Sequence, residues 1–233
     1  MNPFALALTT LFHPIDSLDI IKRERERKRA LIPAVVLLLL AFFVNYLYVF
    51  IVSFQLQEKE AIDANLLLEC GIIGVPLITW VVASFGITSI LSGESKLPEI
   101  FIASCYSLTP FIVFTPILAA LSHILSTSEQ GVYTFLRTGL VVWVVLLLFL
   151  SLKKLNDYGF MKTVLVAIIA LAFMVIILAV VILLVLSAVI TPSGDPFTLM
   201  IVFLPLYLLY ELGIKFSRDK APDEALPSPV NAD

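Results

Sequence analysis

Residues that commonly carry catalytic or metal chemistry are scarce in this sequence. Its 233 residues include two histidines, His13 and His123, and two cysteines, Cys70 and Cys105. Neither histidine has a second cysteine or histidine at the spacing of a metal site, and no glycine-rich loop of the phosphate-binding type is present. The sequence therefore predicts no enzymatic activity, no catalytic residues, no metal site and no cofactor.

Charged residues are also few. They make up 14% of the chain and hydrophobic residues 60%, whereas a soluble domain typically has about 25% charged and roughly 45–50% apolar residues. A soluble fold of this length could not shield so much apolar surface, so an integral membrane protein is expected. Backbone amides within lipid need partners inside the same structure, which favours an all-α fold, a polytopic helical membrane bundle.

Long apolar runs support this fold class and predict about six membrane-crossing helices. A crossing helix needs about 20 apolar residues to span a hydrocarbon core of roughly 30 Å. The runs lie near residues 31–54, 66–91, 100–125, 133–152, 161–190 and 197–214. The sixth is shorter and contains Pro205 and Glu211, so a helix lying on the membrane surface remains an alternative for it.

These runs divide the chain into four segments. An amphipathic and basic N-terminal segment, residues 1–30, precedes a five-span membrane domain, residues 31–190. A turn and the sixth span follow at 191–214, and the proline-rich polar tail, 215–233, is predicted to be disordered and cytoplasmic. Within the first segment, Pro14 suits a helix start, and apolar residues recur along one helical face after it.

Basic residues are distributed unevenly and orient the predicted bundle. Thirteen of the fifteen lysine and arginine residues fall on the side of the N-terminus, and Lys59 and Arg137 fall on the other. Cytoplasmic loops carry such an excess, so the N-terminus is predicted to be cytoplasmic. Six basic residues precede the first span and either set the topology at the lipid headgroups or form a specific lipid or partner site: Lys22, Arg23, Arg25, Arg27, Lys28 and Arg29.

Polar groups inside the predicted spans keep a transport function open. Glu69, Arg137 and Glu211 lie within a turn or two of span ends, where they can reach water or headgroups. The third span carries a polar seam, which suits either hydrogen bonds between helices or a substrate path: Ser104, Tyr106, Ser107, Thr109 and Thr115. The sequence leaves both alternatives open.

Five segments follow one another in a pattern that covers loops as well as apolar runs: LFHPIDSLDIIKRER (11–25), NLLLE (65–69), GESKLPEIFIASCYSLTP (93–110), STSEQGVYTFL (126–136) and LNDYGFMKT (155–163). In these segments the chain resembles the bacterial branch of the Yip (Ypt-interacting protein) domain family, over about residues 5–188. The resemblance implies a non-enzymatic five-span bundle with a cytoplasmic N-terminus, in the bacterial cytoplasmic (inner) membrane. Its best-marked stretch contains Tyr106, Ser107 and Pro110, which become candidate packing or partner-contact residues.

The end of the chain departs from that pattern. The segment 189–218, VITPSGDPFTLMIVFLPLYLLYELGIKFSR, is similar to the final hairpin and last span of TatC, the multispan subunit of the twin-arginine translocase. The N-terminal His-Leu-x-Glu-Leu-Arg element of TatC has no counterpart here, so signal-peptide recognition is not implied. The resemblance does imply a contact surface for small single-span partners and adds four candidate contact residues: Thr191, Asp195, Pro205 and Glu211.

Three functions are compatible with these observations. The first is a non-enzymatic membrane adapter or scaffold of the Yip type, which acts through protein–protein contacts in the bilayer. The alternatives are a component of a TatC-like protein translocase, and a small-solute transporter or transporter accessory subunit. The expected partners are membrane lipids and one or more membrane proteins, including a second copy of the chain. Nucleic acid is not an expected partner.

A reporter domain fused after Asp233 should be found in the cytoplasm, because six spans place the lysine and arginine residues after position 214 on the side of the other basic residues. A reporter fused after Gly194 is the control and should lie on the opposite side. Labelling with a membrane-impermeant reagent measures both positions. An external signal after Asp233 would place residues 197–214 on the membrane surface.

Overall fold

The computed structural model describes residues 3–23, 31–53 and 65–190, together with residues 200, 203, 204 and 207. The chain divides into two compact units, Met1–Val175 and Ile176–Asp233. The first unit contains the helical bundle. In the second unit, Ser187 Oγ donates to the carbonyl of Leu184 at 2.8 Å within the last long helix.

The described part of the chain is built mainly from α-helices. They are α1 (Pro3–Phe12), α2 (Pro14–Arg23), α3 (Leu31–Ile51), α4 (Leu66–Ile90), α5 (Leu97–Ser107), α6 (Thr109–Leu121), α7 (Gln130–Leu155) and α8 (Phe160–Ile190), with a 3₁₀ turn at Thr127–Glu129. Local sequence explains several of their bounds. Asn65 caps α4, because its side-chain oxygen accepts from the backbone N–H of Leu67 at 3.0 Å.

Five helical segments are long and apolar enough to cross a membrane: Leu31–Ile51, Leu66–Ile90, Leu97–Leu121, Gln130–Leu155 and Phe160–Ser187. They confirm the first five predicted spans and the predicted class, an all-α polytopic bundle, with bounds that differ by a few residues. The sixth predicted run, 197–214, lies almost wholly outside the described residues and stays a prediction. The tail, 215–233, lies outside them as well.

The third span consists of two helices, α5 and α6, because the chain turns at Leu108. Pro110 has no backbone N–H and cannot continue the hydrogen bonding of α5. Leu108 N donates to Cys105 O at 3.2 Å, and Thr109 Oγ1 donates to Tyr106 O at 2.6 Å. The residues on both sides of this break are buried. Polar groups at the break are therefore bonded locally inside the bundle.

Helices α1 and α2 form a hairpin that packs on the bundle. α1 lies against α5 and α6, and α2 lies against α5 and α7. Leu6, Leu18 and Ile21 are buried and belong to the main core. The start of α2 at Pro14 is as the sequence predicts. The sequence patterns do not predict α1, whose 10 residues are too few for a span.

The core of the bundle centres on α5. This helix packs against α3, α4 and α7, and its residues Ala103 and Tyr106 are buried. The outward faces of the long helices are apolar as well, with Leu39, Ile78 and Val145 exposed. Exposed apolar side chains are stable where lipid is the solvent. The packed inward faces and the apolar outward faces of these helices therefore both agree with a membrane location.

Candidate functional site

Two loops that connect spans meet on the side of the bundle where α2 ends. Residues 91–96 join α4 to α5, and residues 156–159 join α7 to α8. Near the end of α2, Lys22 contacts Asp157 in the second loop, and Asp19 contacts Lys154 at the end of α7. These two loops with Asp19 and Lys22 are called the basic-side junction. Both loops lie in segments that carry the family resemblance, and the charge distribution predicts that this side is cytoplasmic.

Helix α4 ends at the junction in a Schellman motif. Ser92 adopts φ 56°, in the left-handed region, and Gly93 N donates to Thr88 O at 2.7 Å. This bond satisfies a carbonyl that a helix end otherwise leaves unpaired. Further along the loop, Lys96 N donates to Glu99 Oε2 at 3.1 Å and so caps the start of α5. One short loop therefore ends the second span and begins the third.

Helix α7 ends in the same motif. Asp157 adopts φ 51°, and Tyr158 N donates to Lys153 O at 3.1 Å. Glycine usually occupies such a position, and aspartate tolerates it better than most other residues. Thr163 N then donates to Gly159 O at 2.9 Å at the start of α8. The fourth and fifth spans are thus joined by a reversal of four residues, 156–159.

The side chain of Asn156 joins the two loops. Its Oδ1 accepts from Ser95 N at 3.2 Å and from Ser95 Oγ at 2.8 Å, and its Nδ2 donates to Leu152 O at 3.0 Å. Asn156 and Ser95 are 4% and 8% exposed. Both ends of this buried amide are bonded, so removing a partner would leave a buried polar group unpaired at a cost of about 1–3 kcal/mol.

Gly93 and Tyr158 bring the two loops into direct contact. A Cβ at Gly93 would lie 2.5 Å from Asn156 Oδ1 and 2.7 Å from both Tyr158 OH and Thr88 Cβ. The position therefore requires glycine. Tyr158 OH donates to Leu91 O at 3.3 Å. Burial raises the pKa of Tyr158, which keeps this hydroxyl protonated and able to donate.

Ion pairs attach α2 to the junction. Lys22 pairs with Asp157, and its Nζ lies 4.0 Å from Glu94 Oε2. Lys154 Nζ lies 3.1 Å from Asp19 Oδ2. The side chains of Glu94 and Asp157 are 64% and 65% exposed. Exposed pairs contribute about 0–1 kcal/mol each, so they add to the burial of Leu18 and Ile21, which holds α2 on the bundle.

The sequence-predicted site residues fall in different places. Tyr106, Ser107 and Pro110 are buried around the break in the third span, a position that suits packing within the bundle. From the predicted basic cluster, Lys22 reaches the junction and Arg23 ends α2. The other predicted residues lie outside the described ones: Arg25, Arg27, Lys28, Arg29, Thr191, Asp195, Pro205 and Glu211.

Some of the described polar groups that keep a transport function open form contacts inside the bundle. Glu69 Oε2 accepts from Asn45 Nδ2 at 3.0 Å, and the Arg137 guanidinium lies 5.3 Å from the centroid of the Tyr48 ring.

All five residues of the polar seam in the third span are buried. Ser107 and Thr109 donate to backbone carbonyls, whereas the hydroxyls of Ser104 and Thr115 are buried without a hydrogen-bond partner among the described residues. The bonded groups favour packing within the bundle, and the seam leaves the substrate path open as an alternative.

The residues that build the junction carry only a weak sequence signal. None of Gly93, Ser95, Asn156 and Tyr158 is a sequence-predicted site residue, although all four lie in segments that carry the family resemblance. Their local signal is a run of turn-forming residues after an apolar stretch, as in Asn-Asp-Tyr-Gly at 156–159. That pattern predicts a helix end, but it does not predict that two such ends meet.

These features define a class: a multi-pass helical integral membrane protein. Among residues 3–23, 31–53 and 65–190, no group of three or more histidines, cysteines, aspartates or glutamates is placed to hold a metal ion. The Yip1 domain family model matches residues 8–209. The chain therefore belongs to the Yip1 domain family, whose members are non-enzymatic membrane proteins. No curated protein and no solved structure matches it.

The family match confirms the Yip resemblance and extends it to residue 209. It therefore includes part of the 189–218 segment, in which the sequence also resembles TatC. The comparisons support neither the TatC resemblance nor a bacterial origin. The family assignment thus covers the second half of α1, all of α2, the junction and all five described spans.

Replacing Gly93 with alanine should destabilise the bundle, because the added Cβ would overlap Asn156 Oδ1 and Tyr158 OH. Overpacking of this kind costs about 1–3 kcal/mol. Unfolding of the purified protein in detergent, followed by circular dichroism, measures the change. Gly139→Ala is the matched control, since a Cβ there would meet nothing within 4 Å. Equal stability of the two variants would contradict this packing.

Lys22→Glu should loosen α2, because it places a third carboxylate beside Glu94 and Asp157. Backbone amides of α2 should exchange with solvent about fivefold faster, as expected when about 1 kcal/mol of local stability is lost. Hydrogen exchange with mass spectrometry measures this rate. Lys162→Glu is the control, because Lys162 lies over the Tyr158 ring and forms no described contact with α2. The ion-pair assignment is wrong if α2 exchanges at the wild-type rate in Lys22→Glu.

Proposed function

We propose that this Yip1-family protein is a non-enzymatic membrane adapter that binds other membrane proteins, with the basic-side junction as its docking surface. One observation carries the proposal. The junction holds two loops from different parts of the bundle in fixed contact, yet it leaves the carboxylates of Glu94 and Asp157 largely exposed. A surface that is already ordered loses little conformational entropy when a partner binds.

The charges of the junction indicate the chemistry of the partner. Membrane helices carry lysine and arginine residues at their cytoplasmic ends. Glu94 lies four residues after the end of α4 and Asp157 two residues after the end of α7, close to the level where a neighbouring helix would present such cations. The two carboxylates are contacted by Lys22. A partner's basic segment can replace Lys22 there with little change in charge pairing.

A second copy of the chain meets the same requirement. The stretch before the first span contains Arg25, Arg27 and Arg29, which are the cations that exposed carboxylates would bind. We also propose the bacterial cytoplasmic membrane as the location of the protein, with contacts to partners formed at the boundary of the bilayer and within it. Membrane lipids cover the exposed apolar faces in this arrangement.

Charge reversal at the junction should remove partner binding. The tagged full-length chain is cross-linked in membranes, solubilised and purified. Glu94→Lys should recover about tenfold less of a membrane-protein partner than the wild-type chain, which corresponds to a loss of about 1.4 kcal/mol. Glu129→Lys is the matched control, because Glu129 is an exposed carboxylate at the opposite end of α7. Equal recovery with the two variants would contradict the proposed docking surface.

The two alternative functions give different results in a strain that lacks the gene. A TatC-like translocase component predicts that export of folded twin-arginine substrates stops. A small-solute transporter or accessory subunit predicts that uptake of its solute stops. Either defect, combined with unchanged partner recovery in Glu94→Lys, would replace the adapter proposal.

A further inference from the structure

The hairpin α1–α2 has a buried face and an exposed face. Leu6, Ala7 and Thr10 of α1 are buried where the hairpin packs on the bundle. Leu8 and Phe12, one helical turn apart on the other side of α1, are 61% and 69% exposed. α1 contains no charged residue. Whether water or lipid covers the exposed face depends on the depth of the hairpin in the bilayer.

Two ion pairs place α2 beside the last turns of α7. Asp19 pairs with Lys154. Three residues further along each segment, Lys22 pairs with Asp157. The two helices therefore run in the same direction, toward the basic side. α2 begins at Pro14, five residues before Asp19, which corresponds to about 7.5 Å along a helix. The start of α2 thus lies about that far below the basic end of the bundle, alongside the spanning part of α7.

Helix α1 is in contact with the middle of a membrane span. It packs against α6 as well as α5. The third span begins at Leu97, and α6 begins at Thr109, 12 residues or about 18 Å along that span. This distance is close to half the length of a 25-residue helix. The contact with α6 therefore places α1 within the hydrocarbon core.

Polar groups at the turn of the hairpin are bonded locally, as a position in the hydrocarbon core requires. The backbone N–H of His13 donates to Thr9 O at 2.7 Å, and that of Ser17 donates to His13 O at 3.2 Å. The hydroxyls of Thr9 and Thr10 both donate to Leu6 O, at 2.8 Å and 2.9 Å. The turn can therefore lie below the headgroups without leaving these groups unpaired.

The exposed polar side chains of the hairpin lie near the boundary of the core. α7 has 26 residues and is about 39 Å long, so about 4–5 Å at each end extends past a core of roughly 30 Å. Asp16 stands three residues before Asp19, about 4.5 Å deeper, and so lies close to the headgroups. His13 lies one helical turn deeper, and its ring has an apolar body and a polar tip.

We propose that the hairpin α1–α2 is inserted into the membrane leaflet on the basic side, with Leu8, Phe12 and Ile15 in contact with lipid acyl chains. Ile15, just after the turn, is 49% exposed. Acyl chains are the occupant that this depth selects, because the core contains no water. The hairpin is then a re-entrant part of the membrane domain. Its insertion requires no partner at the basic-side junction, so it can fail or hold independently of the adapter proposal.

Spin labels on the full-length protein in phosphatidylethanolamine–phosphatidylglycerol vesicles test the depth. In a Cys70→Ala, Cys105→Ala background, one label is attached through Phe12→Cys. Val145→Cys is the matched lipid-facing control and Glu129→Cys the water-facing control, since both residues are exposed. Oxygen concentrates among acyl chains and a nickel chelate in water, so paramagnetic relaxation by each reagent reports what surrounds the label. The label at Phe12 should match the label at Val145, with oxygen the more effective reagent.

The other outcomes overturn the proposal in different ways. Relaxation by the nickel chelate at Phe12 equal to that at Glu129 would place the hairpin in water. Protection from both reagents would show that protein covers this face, as in contact with a second copy, and would overturn the choice of lipid. Circular dichroism verifies the folding of each variant. Leu8→Cys repeats the measurement on the same face and keeps the test decisive if Phe12→Cys does not fold.

Discussion

The last carbonyl groups of a membrane helix need hydrogen-bond donors at the boundary between lipid and water. In this protein, the structure of the basic-side junction depends on how α4 and α7 supply those donors. α4 and α7 use the same solution, a left-handed residue followed by an amide that bonds back into the last turn. This geometry turns the chain sharply after both helices. The turns bring Gly93 against Asn156 and Tyr158, and that contact leaves no space for a side chain at Gly93.

The contact between the two helix ends influences the positions of the loops and charged side chains on the basic side. The Asn156 amide is bonded on both ends, so the two loops hold one relative position. Asp157 presents its carboxylate to Lys22, and this pair and the Asp19–Lys154 pair add to the apolar packing of α2 on α5 and α7. A set of backbone hydrogen bonds therefore determines where the exposed charges stand, and the adapter proposal rests on those charges.

The membrane fold could be predicted from the sequence because composition over about 20 residues is a local property. The five described spans agree with that prediction. Helix α1 could not be predicted in this way, since it is shorter than a span and its burial depends on contacts with α5 and α6. The junction could not be predicted either, because Ser95 and Asn156 are 61 residues apart and meet only after the spans pack. Likewise, the charge of Lys22 predicts its side of the membrane but not its partner Asp157.

The two ion pairs that hold α2 also constrain the order of assembly during synthesis. Each pair joins residues 135 positions apart. The ribosome therefore completes α2 before the described spans α3 to α8, and Asp157 emerges only after α7. Until then α2 has neither of its ion-pair partners. The contacts of α2 with α5 involve an earlier part of the chain, so they become possible before the two ion pairs do.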